Sequence, residues 1–219
     1  MRESADEVIS KKRSAKTMVK SLYSISIILV GLIFSPIASY ASSLEVATFA
    51  GGCFWCVEKD FEHVKGVKSA VSGYTGGMLQ NPSYRDHGQH LEAVRITFDP
   101  NIVTYSQLLE TFWRSVDPTD EGGQFCDRGN TYTTAIFANT EEQRKLAQAS
   151  KDALSQSGIL KAPIVTPVRN AAHWTDAEDY HQDYYKKNPV RYFLYRQGCR
   201  RDDRISELWG EQAHQGIDK

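Results

Sequence analysis

A pair of glycines followed by two cysteines, at residues 51–56, constrains this chain more than any other part of its sequence. The alternating apolar run at 44–50 predicts a β-strand, and the apolar spacing of Phe54, Phe61 and Val64 predicts a helix. The glycines permit a sharp turn between the two elements, which places Cys53 near the first helical turn. Free N–H groups and the helix dipole there favour a thiolate, so we expect a lowered pKa and a nucleophilic Cys53.

A different interpretation of Cys53 is a small buried core residue, because free cysteines are usually buried. Two neighbouring features favour the reactive thiol. A second thiol, Cys56, follows three residues later, and the bulky pair Phe54 and Trp55 lies between the two cysteines.

Composition limits the classes of function. The chain has 219 residues, of which 41% are hydrophobic and 24% charged, as in an ordinary soluble protein with one globular domain after a leader. A net charge of -1 gives no reason to expect nucleic acid or an anionic membrane surface as a partner. Four cysteines suit one or two redox pairs better than a disulfide-stapled scaffold.

The first 41 residues have the pattern of an export signal. A basic segment precedes an apolar run at 24–34, and small residues at Ser39 and Ala41 suit a signal peptidase. We expect cleavage after Ala41 and export to the periplasm, with a membrane anchor as the alternative and a cytoplasmic location if the leader is not used. Met18 would start a more typical signal peptide. Residues 44–219 are then predicted to form a single catalytic domain.

The hydrophobic pattern predicts alternating strands and helices. Strands are expected at 44–50, 66–74, 92–98 and 132–138, with an edge strand at 164–168; helices are expected at 57–64, 105–116, 140–155 and 175–187. Long polar loops occupy 77–91 and 117–131, and a charged tail follows the last helix. Such alternation predicts an α/β or α+β sandwich but leaves the strand order open.

Glu92 is the second candidate for chemistry. In a strand over 92–98 its side chain shares a face with Val94, Ile96 and Phe98, so the carboxyl lies at the edge of an apolar surface. Burial there would raise its pKa and make it a useful general acid near neutral pH. The alternative is a glutamate at a strand end that turns into solvent.

Six segments resemble one known family, in order and with its spacing. They are GGCFWCVE at 51–58, GYTGG at 73–77, NPSYRD at 81–86, HLEAVRITFDP at 90–100, FCDRGNTYTTAIF at 125–137 and HWTDAEDYHQDYYKKNP at 173–189. Together they resemble the peptide methionine sulfoxide reductase A family over nearly all of residues 44–199. The resemblance implies a two-layer α+β sandwich with a ferredoxin-like core, long loops and an irregular C-terminal tail.

The resemblance also implies a role for each matching residue. Cys53 would attack the sulfur of methionine sulfoxide, free or in proteins, and become a sulfenic acid, while Glu92 protonates or hydrogen-bonds the sulfoxide oxygen. The S epimer is the implied substrate. The remaining implied positions are Tyr84 and Tyr132 as oxygen-binding partners, Asp127 ordering the pocket, and Phe54 and Trp55 as the apolar wall for the substrate methyl group.

A second thiol is then implied to form a disulfide that a thioredoxin-type dithiol reduces, without any cofactor. Cys199 in the tail is our first candidate for this resolving thiol and Cys56 the second, since two cysteines within one helical turn are awkward to join. Cys126 should lie near the pocket but could be structural. An external thiol acting directly on the sulfenic acid is a further alternative. We expect a monomer.

Two other functions remain compatible with the residues alone. The Cys53–Cys56 spacing would suit a thiol–disulfide oxidoreductase, although such an enzyme needs neither the intervening aromatic pair nor Glu92. A non-catalytic module that binds oxidised methionine is the other. The histidine spacings match no common zinc pattern, so no metal site is predicted.

Overall fold

The computed structural model describes residues 43–218, so the predicted leader lies outside the described residues. Within this range no helix is long and apolar enough to cross a membrane. The described chain is built on one six-stranded sheet and a short two-stranded hairpin.

The large sheet has the strand order β7-β6-β1-β3-β2-β8. Its strands are β1 (Glu45–Gly51), β2 (Val67–Thr75), β3 (Leu91–Phe98), β6 (Thr134–Ala138), β7 (Val168–Asn170) and β8 (Trp174–Asp176), and the hairpin is β4 (Gly123–Gln124) with β5 (Asp127–Arg128). Neighbouring strands are antiparallel except β6 and β7, which are parallel. The central order β6-β1-β3-β2, with helices after β1 and β3, is the ferredoxin-like arrangement that the family resemblance implied.

Within residues 43–218, six α-helices accompany the sheet. They are α1 (Phe54–Glu62), α2 (Tyr105–Trp113), α3 (Glu141–Gln156), α4 (Tyr184–Lys187), α5 (Pro189–Gly198) and α6 (Arg201–Trp209). A capping box between Thr104 and Gln107 fixes the start of α2. The ring of Phe49 on β1 lies 5.3 Å from that of Phe61 on α1 and 5.0 Å from that of Phe112 on α2, so aromatic packing joins both helices to one sheet face.

The late part of the chain differs from the sequence predictions. The edge strand expected at 164–168 begins only at Val168, and the helix expected at 175–187 is replaced by β8, a turn region and the short α4. The predicted helix at 175–187 was expected to end at the following Asn188 and Pro189. Pro189 instead begins α5, which suits a proline because the N–H that it lacks would be unpaired in a first helical turn. The tail expected to be irregular therefore contains α5 and α6.

Candidate active site

The turn between β1 and α1 is built as the glycines predicted. Gly52 has a φ of +83°, and a side chain there would place its Cβ 2.5 Å from the Cβ of Gln124. Gln124 is itself buried, and its amide group accepts from the Asp117 N–H and donates to the Asp117 carbonyl at 2.9 and 2.8 Å. Cys53 is the N-cap residue of α1, so its position at the helix start is confirmed.

The two cysteines of this turn form one buried pair. Cys53 is 5% exposed and Cys56 1% exposed, and each thiol shifts the pKa of the other. Cys53 lies at the N-cap and Cys56 within the first turn of α1, and both thiols are free, so the expected difficulty of joining them in a disulfide stays a prediction.

The ionisation of the pair corrects a second expectation. Burial, reinforced by the hydrogen bond to Cys56, raises the pKa of Cys53 well above its ordinary value, so the predicted lowering by the helix N-terminus was wrong. The hydrogen bond from Cys53, assisted by Arg201 and Arg196, lowers the pKa of Cys56 to about 6. The pair therefore holds one negative charge and one shared proton around neutral pH.

Glu92 faces the start of the same helix. It lies on β3 opposite Tyr74, is 1% exposed, and its carboxylate accepts the Phe54 N–H at 2.9 Å. Burial raises the pKa of Glu92 to about 8, and the nearby Asp127 and Cys56 add to the rise, whereas the Phe54 N–H opposes it. The buried orientation expected from the alternating strand is confirmed, and the carboxyl is protonated at neutral pH.

Two tyrosines complete this side of the site. Tyr84 and Tyr132 lie near enough to each other, to Glu92 and to Cys53 for these groups to affect the pKa of both tyrosines. Burial is the main reason that the pKa of each tyrosine is raised, so both keep their protons as uncharged donors. Tyr84 is 37% exposed, which places the pair at the solvent side of the site.

Sequence reasoning missed Tyr195, which joins Asp127 to the nucleophile. The Tyr195 hydroxyl donates to an Asp127 carboxylate oxygen, and the Tyr195 side chain packs against the cluster that contains Cys53 and Cys56. Burial raises the pKa of Asp127 despite this hydrogen bond. Tyr195 lies on α5, in the part of the chain predicted to be an irregular tail. The helical spacing of Tyr192, Tyr195 and Cys199 was the signal that could have indicated this helix.

The aromatic pair after Cys53 divides into a buried and an accessible ring. Phe54 is buried in the core, whereas Trp55 is half-buried and stacks on Tyr184 with ring centroids 3.7 Å apart. The Trp55 indole N–H donates to Nδ1 of His181 at 3.0 Å, which places the His181 proton on Nε2. Burial lowers the pKa of His181, so the ring is neutral at pH 7. This aromatic group encloses the Cys53 side of the site.

The other two cysteines form a disulfide between Cys126 and Cys199. It joins the β4–β5 hairpin to the C-terminal end of α5, and it leaves Cys53 and Cys56 as the free thiols. Ligand atoms of Cys126, Asp127 and Cys199 lie within 4.8 Å of one another, but sulfurs in a disulfide are not the thiolates that a metal ion binds. The preference for Cys199 as the resolving thiol stays a prediction.

The arrangement supplies the parts of a two-electron reduction at sulfur. A thiol pair with one shared proton lies next to a protonated carboxyl and a set of neutral hydroxyl donors. Such a site can attack an electrophilic sulfur with a thiolate while an oxygen atom on that sulfur receives a proton.

Comparison with known proteins gives a consistent result. The sequence model of the peptide methionine sulfoxide reductase family matches residues 45–213. Peptide methionine sulfoxide reductase MsrA 2 of Rhizobium meliloti is 50% identical over 186 residues, which cover 84% of this chain and 93% of that protein. The MsrA protein of Bacillus subtilis is 52% identical over 170 residues, covering 76% of this chain and 96% of its own length. Among solved structures, methionine sulfoxide reductase A of Corynebacterium diphtheriae is similar, with a TM-score of 0.58 and 29% identity over 67% of this chain and 76% of that one.

Proposed function

The chain belongs to the peptide methionine sulfoxide reductase family, and from that premise we propose how its own residues carry out the reaction. The enzyme is a thiol-dependent oxidoreductase that reduces methionine sulfoxide to methionine. Family membership favours this activity over the two alternative functions, a general thiol–disulfide oxidoreductase and a non-catalytic binding module.

The first half-reaction takes place between Cys53 and Glu92. The Cys53 thiolate attacks the sulfoxide sulfur while the protonated Glu92 carboxyl gives its proton to the oxygen, which transfers to Cys53 as a sulfenic acid and releases methionine. Cys53 is oxidised by two electrons and the substrate sulfur is reduced by two. The Glu92 carboxyl, buried at the start of α1 next to Cys53 and hydrogen-bonded to the Phe54 N–H at 2.9 Å, is the observation that carries this proposal.

Neutral donors and aromatic rings orient the substrate. Tyr84 and Tyr132 are placed to hydrogen-bond the sulfoxide oxygen as uncharged donors, and Asp127 holds the Tyr195 hydroxyl on the thiol side. Trp55, with the Phe54 ring beneath it, offers an apolar contact for the methyl group. The preference for one epimer, the S form, is assigned from the resemblance.

Cys56 is the proposed resolving thiol. It lies in the same buried cluster as Cys53 and has the lowered pKa of the two thiols, whereas Cys199 is already bonded to Cys126. The Cys56 thiol attacks the sulfenic acid sulfur of Cys53, which forms the disulfide and releases water. Cys199 remains the second candidate, so the order of our sequence preference is reversed.

Turnover of separated epimers tests the reaction. We expect wild-type protein with dithiothreitol to convert only the S epimer of a blocked methionine sulfoxide, and Cys53→Ser to convert neither. Conversion by Cys53→Ser, or no turnover of either epimer by folded wild type, would contradict the proposed chemistry.

Mass spectrometry after one turnover without reductant tests the resolving thiol. Wild type and Cys199→Ser should both lose two hydrogens in the peptide that contains Cys53 and Cys56. Cys56→Ser should instead keep a Cys53 sulfenic acid that dimedone traps. Trapping in Cys199→Ser with disulfide formation in Cys56→Ser would return the role to Cys199.

A thioredoxin-type dithiol is the proposed reductant, because each turnover leaves a disulfide that two electrons must reopen. Steady-state turnover with a thioredoxin and its reductase should replace dithiothreitol. If turnover continues with dithiothreitol but stops with several thioredoxins, another class of reductant is required.

The remaining proposals concern the whole chain. We propose export to the periplasm through residues 1–41, or cytoplasmic retention if the leader is not used, with residues 44–219 as one catalytic domain; cell fractionation and the N-terminal sequence of the mature protein test this. We also propose a monomer, since Cys53, Glu92 and Tyr195 meet within one chain. A dimer in light scattering would contradict it.

A further inference from the structure

Arg201 is a buried cation at the back of the thiol pair. It is the first residue of α6 and is 2% exposed. Its Nη1 donates to the carbonyl of Gly51 at 3.2 Å and its Nη2 to that of Ser115 at 2.9 Å, while the guanidinium carbon lies 4.6 Å from the centroid of the Phe125 ring. The Gly51 contact fixes the guanidinium at the end of β1, two residues before Cys53.

The charge of Arg201 has no ion-pair partner in the part of the chain that the structure describes. Its partners are two carbonyls and an aromatic ring, and its Nε is buried without a hydrogen bond. A guanidinium keeps its proton even when buried, so this positive charge is permanent. An unpaired buried charge is costly, which favours a negative charge nearby.

Arg196 provides an internal comparison. It is also buried, but it pairs with Asp60 at 2.9 Å and with Asp202 at 2.6 Å, so its charge is already balanced within α5 and its neighbours. Of the two buried arginines whose charges act on Cys56, only Arg201 forms no salt bridge among residues 43–218, although its charge also acts on the Asp127 carboxylate.

We propose that Arg201 is a positioning residue of the reductase reaction, whose buried and unpaired guanidinium holds one negative charge on the Cys53–Cys56 pair. The effect of Arg201 on catalysis rests on the proposed function, whereas its effect on the ionisation of the two thiols can be measured without any substrate. The groups that act on the pair from the elements around it are Asp60 on α1, Glu92 on β3, Asp127 on β5, Tyr192, Tyr195 and Arg196 on α5, and Arg201 on α6.

The negative charge on the Cys53–Cys56 pair is used in both steps of the reaction. When the substrate binds, the Cys56 thiolate takes the shared proton and leaves Cys53 as the attacking thiolate. After Cys53 has become a sulfenic acid, the Cys56 sulfur attacks it as a thiolate, the S–S bond forms, and the hydroxide that leaves is protonated to water. Arg201 touches neither sulfoxide nor oxygen, so it acts only through the thiols.

Ultraviolet titration of the thiolate measures this charge directly. With the Cys126–Cys199 disulfide intact, Cys53 and Cys56 are the free thiols, so absorbance at ~240 nm between pH ~4 and ~8 reports the pair. We expect the midpoint of Arg201→Gln to lie about one pH unit or more above that of wild type, because a buried cation that forms no salt bridge has been removed. An unchanged midpoint in folded Arg201→Gln would overturn the proposal.

Two further variants separate charge from packing. Arg204→Gln removes an exposed arginine from the same helix, whose ion pair with Asp117 is 2.9 Å long, and should leave the midpoint unchanged. Arg201→Lys keeps the charge and should titrate within about 0.3 pH units of wild type, even if Arg201→Gln does not fold. A Lys variant that titrates a full unit higher would show that packing, not charge, sets the midpoint. If wild type shows the expected midpoint but reduces no sulfoxide, only the proposed function fails.

Discussion

Replacing Glu92 by glutamine should stabilise the protein while it disables the enzyme. Glu92→Gln keeps the side-chain shape and an oxygen that can accept the Phe54 N–H, but it has no ionisable proton. In the wild type the carboxyl has a pKa of about 8 in the folded chain, against an ordinary value of 4.5. The unfolded chain releases this proton first, so the contribution of Glu92 to wild-type stability falls as pH rises from 4.5 to about 8 and is level beyond that range.

The size of the effect follows from the difference between the two pKa values. Each pKa unit corresponds to about 1.4 kcal/mol, so the rise from 4.5 to about 8 corresponds to about 5 kcal/mol. The side chain is almost completely buried, so solvent screening removes little of this. The stability of Glu92→Gln relative to wild type should therefore grow by several kcal/mol between pH 4.5 and 8. Activity should fall by about 100-fold or more, because the proton donor is lost.

Urea unfolding at a series of pH values measures this difference. Subtracting the two stability curves cancels contributions that both proteins share, including that of Glu58, whose pKa burial raises to about 7. Glu142→Gln on the exposed surface of α3 is the control, and it should change stability by less than about 0.5 kcal/mol at every pH. A difference between Glu92→Gln and wild type that does not change between pH 4.5 and 8 would refute the reasoning.

Three further variants test other contacts. Tyr195→Phe should lower kcat about 10- to 100-fold with little change in folding, since it removes only a hydroxyl that bonds the nucleophile; an unchanged kcat would exclude that contact from the reaction. Cys126→Ser with Cys199→Ser opens a covalent loop of 73 residues and should lower the free energy of unfolding by about 4 kcal/mol, as measured in urea; equal stability would mean that the bond constrains nothing. Gly73→Ala should lower the melting temperature by several degrees, because its new Cβ would lie 2.3 Å from the Trp174 indole; wild-type melting would contradict this close approach.

Much of the active site could be predicted because its signals are local. The glycine pair before Cys53 indicates a turn that few other residues could adopt, and the turn places the thiol at a helix start. Glu92 could be assigned to the core because alternation along one strand fixes its face. Both conclusions needed only residues within one or two elements.

The features that could not be predicted depend on distant parts of the chain. The pKa of Cys53 is raised by burial, and the residues that bury it include Tyr192 and Tyr195 on α5, far along the sequence. The strand β8 forms because it pairs with β2 about a hundred residues earlier, which no local pattern at 174–176 indicates. Four cysteines allow three pairings, so the Cys126–Cys199 bond could not be chosen from spacing alone.

The disulfide and the Tyr195–Asp127 hydrogen bond connect the same two pieces of backbone, the β4–β5 hairpin and α5. Cys126 is next to Asp127, and Cys199 is one helical turn after Tyr195, so the covalent bond closes a small ring around the hydrogen bond. The ring keeps the Tyr195 hydroxyl and the Asp127 carboxylate at a high effective concentration relative to each other, even when other parts of α5 move. Reduction of the Cys126–Cys199 disulfide should therefore lower the fraction of time for which the Tyr195 hydroxyl lies close to Cys53.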